Sequence, residues 1–340
     1  MKQKRLSLIV LSVLSAIAIV SCAAFNANSQ VKAPAYPKFA QPIQCSLGDD
    51  CYILRYVDRD PGPGEIDFKC GRLTGDGHKG TDFGIPDEWS MRQGIPVLAS
   101  APGEVLRVRD GVPDKRITSP EELAAVQGIN CGNAIVIDHG EGWETQYCHL
   151  RQGSVAVKPG DKVTTGTVLG MVGSSGESSF PHVHLTLRYQ GNNVDPFVGP
   201  DVGPGCEASG QSLWSTDINY TSAGLIRAGF ASEIPSLDRI WSGDFRDSRL
   251  SVNSDLLVFW IHLFGVLQGD EETFRLVDPQ GNVVAEGAKT YDRPTRIAAP
   301  YAGKKNSRDR PLITGTWRGE YTLKRGNTIL VKTTQTVVLE

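Results

Sequence analysis

The chain has 340 residues, and at about 100–200 residues per domain this length predicts two domains, each able to bury its own core. Hydrophobic residues at 40%, charged residues at 21% and a mean hydropathy of -0.22 exclude both a disordered polymer and a multi-span membrane protein. A net charge of -3 leaves no basic surplus, so nucleic acid is excluded as the expected partner.

Residues 1–21 carry Lys2, Lys4 and Arg5 ahead of an apolar stretch from Leu6 to Val20, the pattern of a secretory signal peptide. Ile19-Val20-Ser21-Cys22 is similar to a bacterial lipobox, which makes Cys22 the expected lipid-bearing first residue of an exported chain. Residues 22–44, rich in Ala, Pro, Gln and Asn, read as the tether behind that anchor. Six further cysteines in an exported protein form a disulfide framework and point to an oxidising compartment, the periplasm. Two β-rich segments, 133–138 and 143–148, flank the hairpin turn His139-Gly140-Glu141-Gly142 and bring Cys131 opposite Cys148. Cys45 and Cys51 bracket a Gly-Asp-Asp turn, which leaves Cys70 for Cys206.

From 45 to 200, short β-type segments alternate with Gly turns, as in a compact antiparallel domain. One helix is expected inside it, capped by Ser119 with Pro120 in its first turn and ending near Gln127. It lies in a long excursion, residues 108–130, of the kind that forms a lid or rim. Residues 201–213, rich in Gly, Pro and Ser, read as a linker. Residues 214–340 hold an apolar run, Leu256 to Leu267, too short to span a bilayer, and hairpin turns at 278–282 and 325–327. They predict an immunoglobulin-like β-sandwich, a surface for a protein partner, with His262 as a core residue. The fold class is therefore mainly β in both halves.

Five of the six histidines, His78, His139, His149, His182 and His184, fall in the first domain. In an extended Pro181-His182-Val183-His184-Leu185 the two imidazoles share one face while Val183 and Leu185 enter the core. The even offset from His78 to Asp82 likewise puts both on one side of an extended chain. Two histidines and a carboxylate suit zinc, and three protein ligands leave a fourth position for water. His139, in the turn, reads as structural.

His78-x-x-x-Asp82 followed by Gly84, then Gln146-Tyr147-Cys148-His149-Leu150, then Gly173-x-x-Gly176 before His182-Val183-His184, resembles the LytM/lysostaphin-type zinc endopeptidases of bacterial peptidoglycan. The resemblance spans residues 70–197. It implies zinc bound by His78, Asp82 and His184, with His149 and His182 as catalytic neighbours that do not bind metal. The lipobox and the disulfides suggest an outer-membrane-anchored periplasmic lipoprotein of a Gram-negative envelope, expected to be monomeric, and there the resemblance implies a D,D-endopeptidase acting on diaminopimelate cross-links. Some members have lost zinc ligands and only activate other hydrolases; that alternative, a non-catalytic envelope protein, is weakened by five intact positions. Cys148 departs from the apolar or small residue usual before the His149 position, in keeping with a disulfide beside the site.

Overall fold

The structure is a computed structural model that describes residues 36–206 and 210–340. The signal peptide, Cys22 and the tether as far as residue 35 lie outside the described residues. Residues 37–340 form one compact unit. Within the stretch expected as tether, Phe39 and Ile43 are buried, Phe39 bridging to Trp214 and Ile43 to Val97, because two large apolar side chains there have a core within reach.

The first half runs β1 (Tyr52–Arg55), β2 (Thr81–Gly84), α1 (Glu88–Gln93), β3 (Pro96–Leu98), β4 (Gly103–Arg109), α2 (Pro120–Ala125), β5 (Asn133–Gly140), β6 (Trp143–Leu150), β7 (Lys162–Val163), β8 (Val168–Met171), β9 (His182–Tyr189) and β10 (Asn192–Val194). One sheet has the order β1-β2-β9-β6-β5-β4-β7, with β10 also on β9, and every pairing is antiparallel. The period-2 pattern does what it predicts. Val183, Leu185 and Leu187 are buried with Phe83, Ile135, Ile137 and Tyr147, while His182, His184, Thr186 and Arg188 occupy the opposite face of β9. The helix at 120 is capped as expected, Ser119 accepting from the Glu122 N–H, and a second short helix, α1, is capped by Asp87.

The excursion is fastened to the sheet rather than projecting from it. Asp114 accepts the N–H groups of Ser174 (2.8 Å) and Gln152 (2.9 Å), and the Ile117 N–H donates to Ser178 O at 2.7 Å. The three disulfides are Cys45–Cys51, Cys70–Cys206 and Cys131–Cys148.

The second half runs β11 (Gly224–Ala231), α3 (Leu237–Ser242), β12 (Arg249–Leu250), β13 (Leu256–Val266), β14 (Glu271–Val277), β15 (Val283–Thr290), β16 (Thr295–Ala298), β17 (Tyr301–Lys305), β18 (Gly315–Arg325) and β19 (Thr328–Leu339). One sheet joins β11, β13, β16 and β17, the other has the order β12-β19-β18-β14-β15, and both contribute to one core holding Phe259, Ile261, Phe274, Trp317 and Tyr321. The apolar run is β13, and it fails to alternate because both its faces are covered. Phe259, Ile261 and Leu263 face the core between the sheets. Val258 and Trp260 pack with Ile240 of α3, and Phe264 stacks on Tyr52 of the first half, ring centroids 5.3 Å apart. His262 lies on this second face, fully buried against Trp241. Asp87 ties the halves together, its carboxylate paired with Arg227 at 2.7 Å and with Arg246.

Candidate metal centre

Antiparallel register builds the site. Across three neighbouring pairings Arg55 stands opposite Asp82, Asp82 opposite His184, and His184 opposite Cys148, one row over β1, β2, β9 and β6. His78 arrives from the loop before β2. Its Nε2 lies 3.1 Å from Asp82 Oδ1 and 3.1 Å from His184 Nδ1, while His184 Nδ1 lies 2.7 Å from the same carboxylate oxygen. Zinc bonds of about 2.0–2.2 Å put tetrahedral ligand atoms roughly 3.3 Å apart, so a triangle with these edges fits such an ion closely. The donor set of two imidazoles and one carboxylate suits it chemically as well.

Each donor is held from behind. The Nδ1 of His78 donates to the Tyr56 carbonyl at 2.8 Å, and His184 Nε2 meets Thr186 Oγ1 at 2.9 Å, so in each ring one nitrogen is anchored and the other faces the shared centre. Close approach requires a glycine nearby: a Cβ on Gly80 would meet the His184 ring and the Leu185 carbonyl.

His149 and His182 stand beside this triangle, their ring centroids 4.5 Å apart. His149 Nδ1 donates to Ser175 O and His182 Nδ1 to Phe180 O, both at 2.8 Å, which fixes each tautomer with Nε2 as the acceptor. The His182 Nε2 lies 3.7 Å from Asp82 Oδ1. His149 has φ +63°, a left-handed conformation that a non-glycine residue adopts at a cost of about 1–3 kcal/mol; its N–H bond to the Cys131 carbonyl (2.9 Å) helps hold it there.

Burial governs the protonation states. It would raise the pKa of Asp82, yet the surrounding His78, His182 and His184 hold that carboxyl well below the usual range. Burial pushes His149 well below the imidazole range, His182 to about 4, and lowers His184 despite Asp82. For His78 burial acts downward but is outweighed by Asp82 and the Tyr56 carbonyl, leaving the pKa raised. An ionised Asp82 beside a neutral His184 is ready for a cation, while at His78, whose pKa is raised, a bound ion would displace a proton.

These side chains line a groove of about 460 Å³ that also takes in Arg55, Gln146 and Arg188. A larger cavity, about 960 Å³, lies elsewhere against Tyr52, Ile218 and Phe264 and contains none of the histidines. His139 stays outside the cluster, bonded to Pro102 O and Thr145 Oγ1, both at 2.7 Å. Three supporting groups are missing from the pattern of residue types. Thr186 was legible in principle, two residues beyond His184 on one strand face, whereas the Tyr56 and Ser175 carbonyls have no sequence signature.

Residues 76–196 match peptidase family M23. This region is a LytM-type domain of that family. The domain is similar to the DD-carboxypeptidase/endopeptidase Mpg of Neisseria meningitidis, 36% identical over 120 residues, covering 35% of this chain and 22% of that protein. It is also similar to the peptidoglycan DD-endopeptidase ShyA of Vibrio cholerae, 32% identical over 118 residues, with 35% and 22% covered. The chain thus spans about a fifth of the length of these curated relatives. Among solved structures, the catalytic domain of the prophage-encoded M23 protein EnpA from Enterococcus faecalis is 27% identical, with 46% of this chain and 95% of that chain covered at a TM-score of 0.31.

Proposed function

We propose that the chain is a zinc-dependent endopeptidase that hydrolyses peptide cross-links of bacterial peptidoglycan, acting as a D,D-endopeptidase on diaminopimelate cross-links. The convergence of His78, Asp82 and His184 on one point beside two tautomer-locked imidazoles carries this reading. The names of the similar M23 proteins support the substrate class.

His78 Nε2, Asp82 Oδ1 and His184 Nδ1 would hold the ion. A zinc ion bound there would supply Lewis acidity, able to polarise a scissile carbonyl and bring the pKa of water towards about 7. His149 and His182 do the proton work. Each lines the groove and has Nε2 free of its proton, so either can take a proton from the attacking water. Once protonated there, the same nitrogen becomes a donor to the tetrahedral oxyanion or to the departing amine. Burial keeps both rings neutral beforehand, the state this order of events needs.

Export, attachment to the outer membrane through Cys22, and a peptidase domain over 45–200 followed by a β-sandwich over 214–340 complete the proposal. Incubating purified protein with peptidoglycan sacculi tests it. Newly released muropeptides separate an enzyme from an activator, which releases none without its partner hydrolase.

A further inference from the structure

Arg55 is the charged member of the site row that the mechanism does not use. It sits on the edge strand β1, in register with Asp82, but that carboxylate is taken by His78 and His184. Its Nε is buried and has no hydrogen-bond partner among the described residues. A guanidinium has five N–H donors, and with Nε turned into the protein the outer nitrogens are the ones left for a ligand.

Arg55 also lies where two cavities meet. The metal-centre groove shares Arg55, Ser179 and Phe180 with a neighbouring cavity of about 480 Å³. The far wall of that cavity comes from the second half: Leu237 and Trp241 of α3, and Arg296 of β16. Arg116, from the excursion, closes another side, but it is already paired with Glu88 at 2.6 Å and Asp238 at 2.7 Å, and Arg296 is paired with Glu65 at 3.0 Å. Arg55 is thus the arginine of this cavity that no carboxylate among the described residues pairs.

We propose that the side cavity is a substrate subsite, in which Arg55 receives a carboxylate of the cross-linked peptide and the second half of the chain supplies the opposite wall. A planar guanidinium binds a carboxylate through two parallel N–H bonds, which gives direction as well as affinity. The inference rests on the peptidoglycan reading, whose stem peptides carry free carboxylates, and it makes the second half a shaper of the groove.

The experiment compares purified cross-linked muropeptide dimers whose diaminopimelate carboxyl groups are free or amidated, with kcat, KM and bound metal measured for wild type, Arg55→Gln and Leu237→Trp. Wild type is expected to favour the free acid by roughly 10–100-fold in kcat/KM, the size expected of a charged hydrogen-bonded contact. Arg55→Gln should lose that preference through KM, with metal content unchanged. Leu237→Trp, which fills the wall from an exposed position, should raise KM for both dimers. Equal wild-type rates on the two dimers, or an Arg55→Gln enzyme that still prefers the free acid, overturns the carboxylate assignment. An unchanged KM in Leu237→Trp overturns the role of the second half. Cleavage of neither dimer by metal-loaded wild type instead removes the peptidoglycan reading, and this subsite with it.

Discussion

Breaking the Cys131–Cys148 disulfide should impair both stability and turnover, in separable amounts. The bond joins residues 17 apart, with Cα atoms 4.8 Å from each other. Loop-closure entropy for a loop of that length gives about 3 kcal/mol at 25 °C, against about 2 kcal/mol for Cys45–Cys51, whose separation is only 6. The catalytic effect arises from position. Cys131 O accepts the N–H of His149, whose left-handed backbone needs that restraint, and Cys148 is the cross-strand neighbour of His184. Replacing both cysteines by serine should therefore cost about 3 kcal/mol in urea unfolding. It should also lower kcat by roughly 10- to 100-fold, the scale on which a misplacement of about 1 Å acts. Zinc content should stay near one per chain, because no ligand is removed. The matching Cys45→Ser, Cys51→Ser pair should lose stability alone. Wild-type kcat in the Cys131→Ser, Cys148→Ser protein at the expected loss of stability would refute the claim that this disulfide positions His149.

His149→Ala should retain the metal and lose at least about 100-fold in kcat, as expected for a positioned acid–base group; metal analysis beside single-turnover hydrolysis reads both. Thr186→Val removes the partner of His184 Nε2 and should weaken zinc about 10–100-fold, measured by competition with a chromophoric chelator; an unchanged affinity argues against a positioning role. His262 gives a pH signature. Burial lowers its pKa from 6.5 to about 3, with Asp87 acting the other way and Arg227 alongside burial, so the folded state holds it neutral. Because the unfolded chain binds the proton first, stability is complete above about 6.5 and is lost as pH falls towards 3, by about 2 kcal/mol at pH 5. His262→Phe should flatten that part of the stability–pH curve, and an unaltered slope between about pH 7 and 5 excludes His262 as its source.

The site was more legible than its surroundings for a physical reason. Strand periodicity fixes which side chains share a face, so His182 with His184 followed from spacing once the segment was read as extended, whereas the register that sets Asp82 opposite His184 and the loop that brings in His78 did not. The hairpin at 139–142 likewise made the Cys131–Cys148 pairing a matter of local geometry. Carbonyl partners such as Tyr56 and Ser175 depend on tertiary approach and leave no mark on residue type. The same holds for Arg55, one arginine among many until register placed it beside Asp82. Phe39 and Ile43 show the opposite error: Pro- and Gln-rich composition suggested a tether, but two well-placed apolar side chains were enough to dock its end. The apolar run from Leu256 identified a buried strand, though not what covers its second face, since contacts of Phe264 with Tyr52 join residues over two hundred positions apart.

The proposed hydrolysis depends on one metal ion held by His78, Asp82 and His184. It is tested most directly by following muropeptide release from sacculi after complete chelation and stepwise return of zinc. Activity should vanish on chelation and recover at one equivalent per chain in wild type, with no recovery in His184→Ala. Release that persists in the fully chelated protein would contradict a metal-dependent hydrolysis.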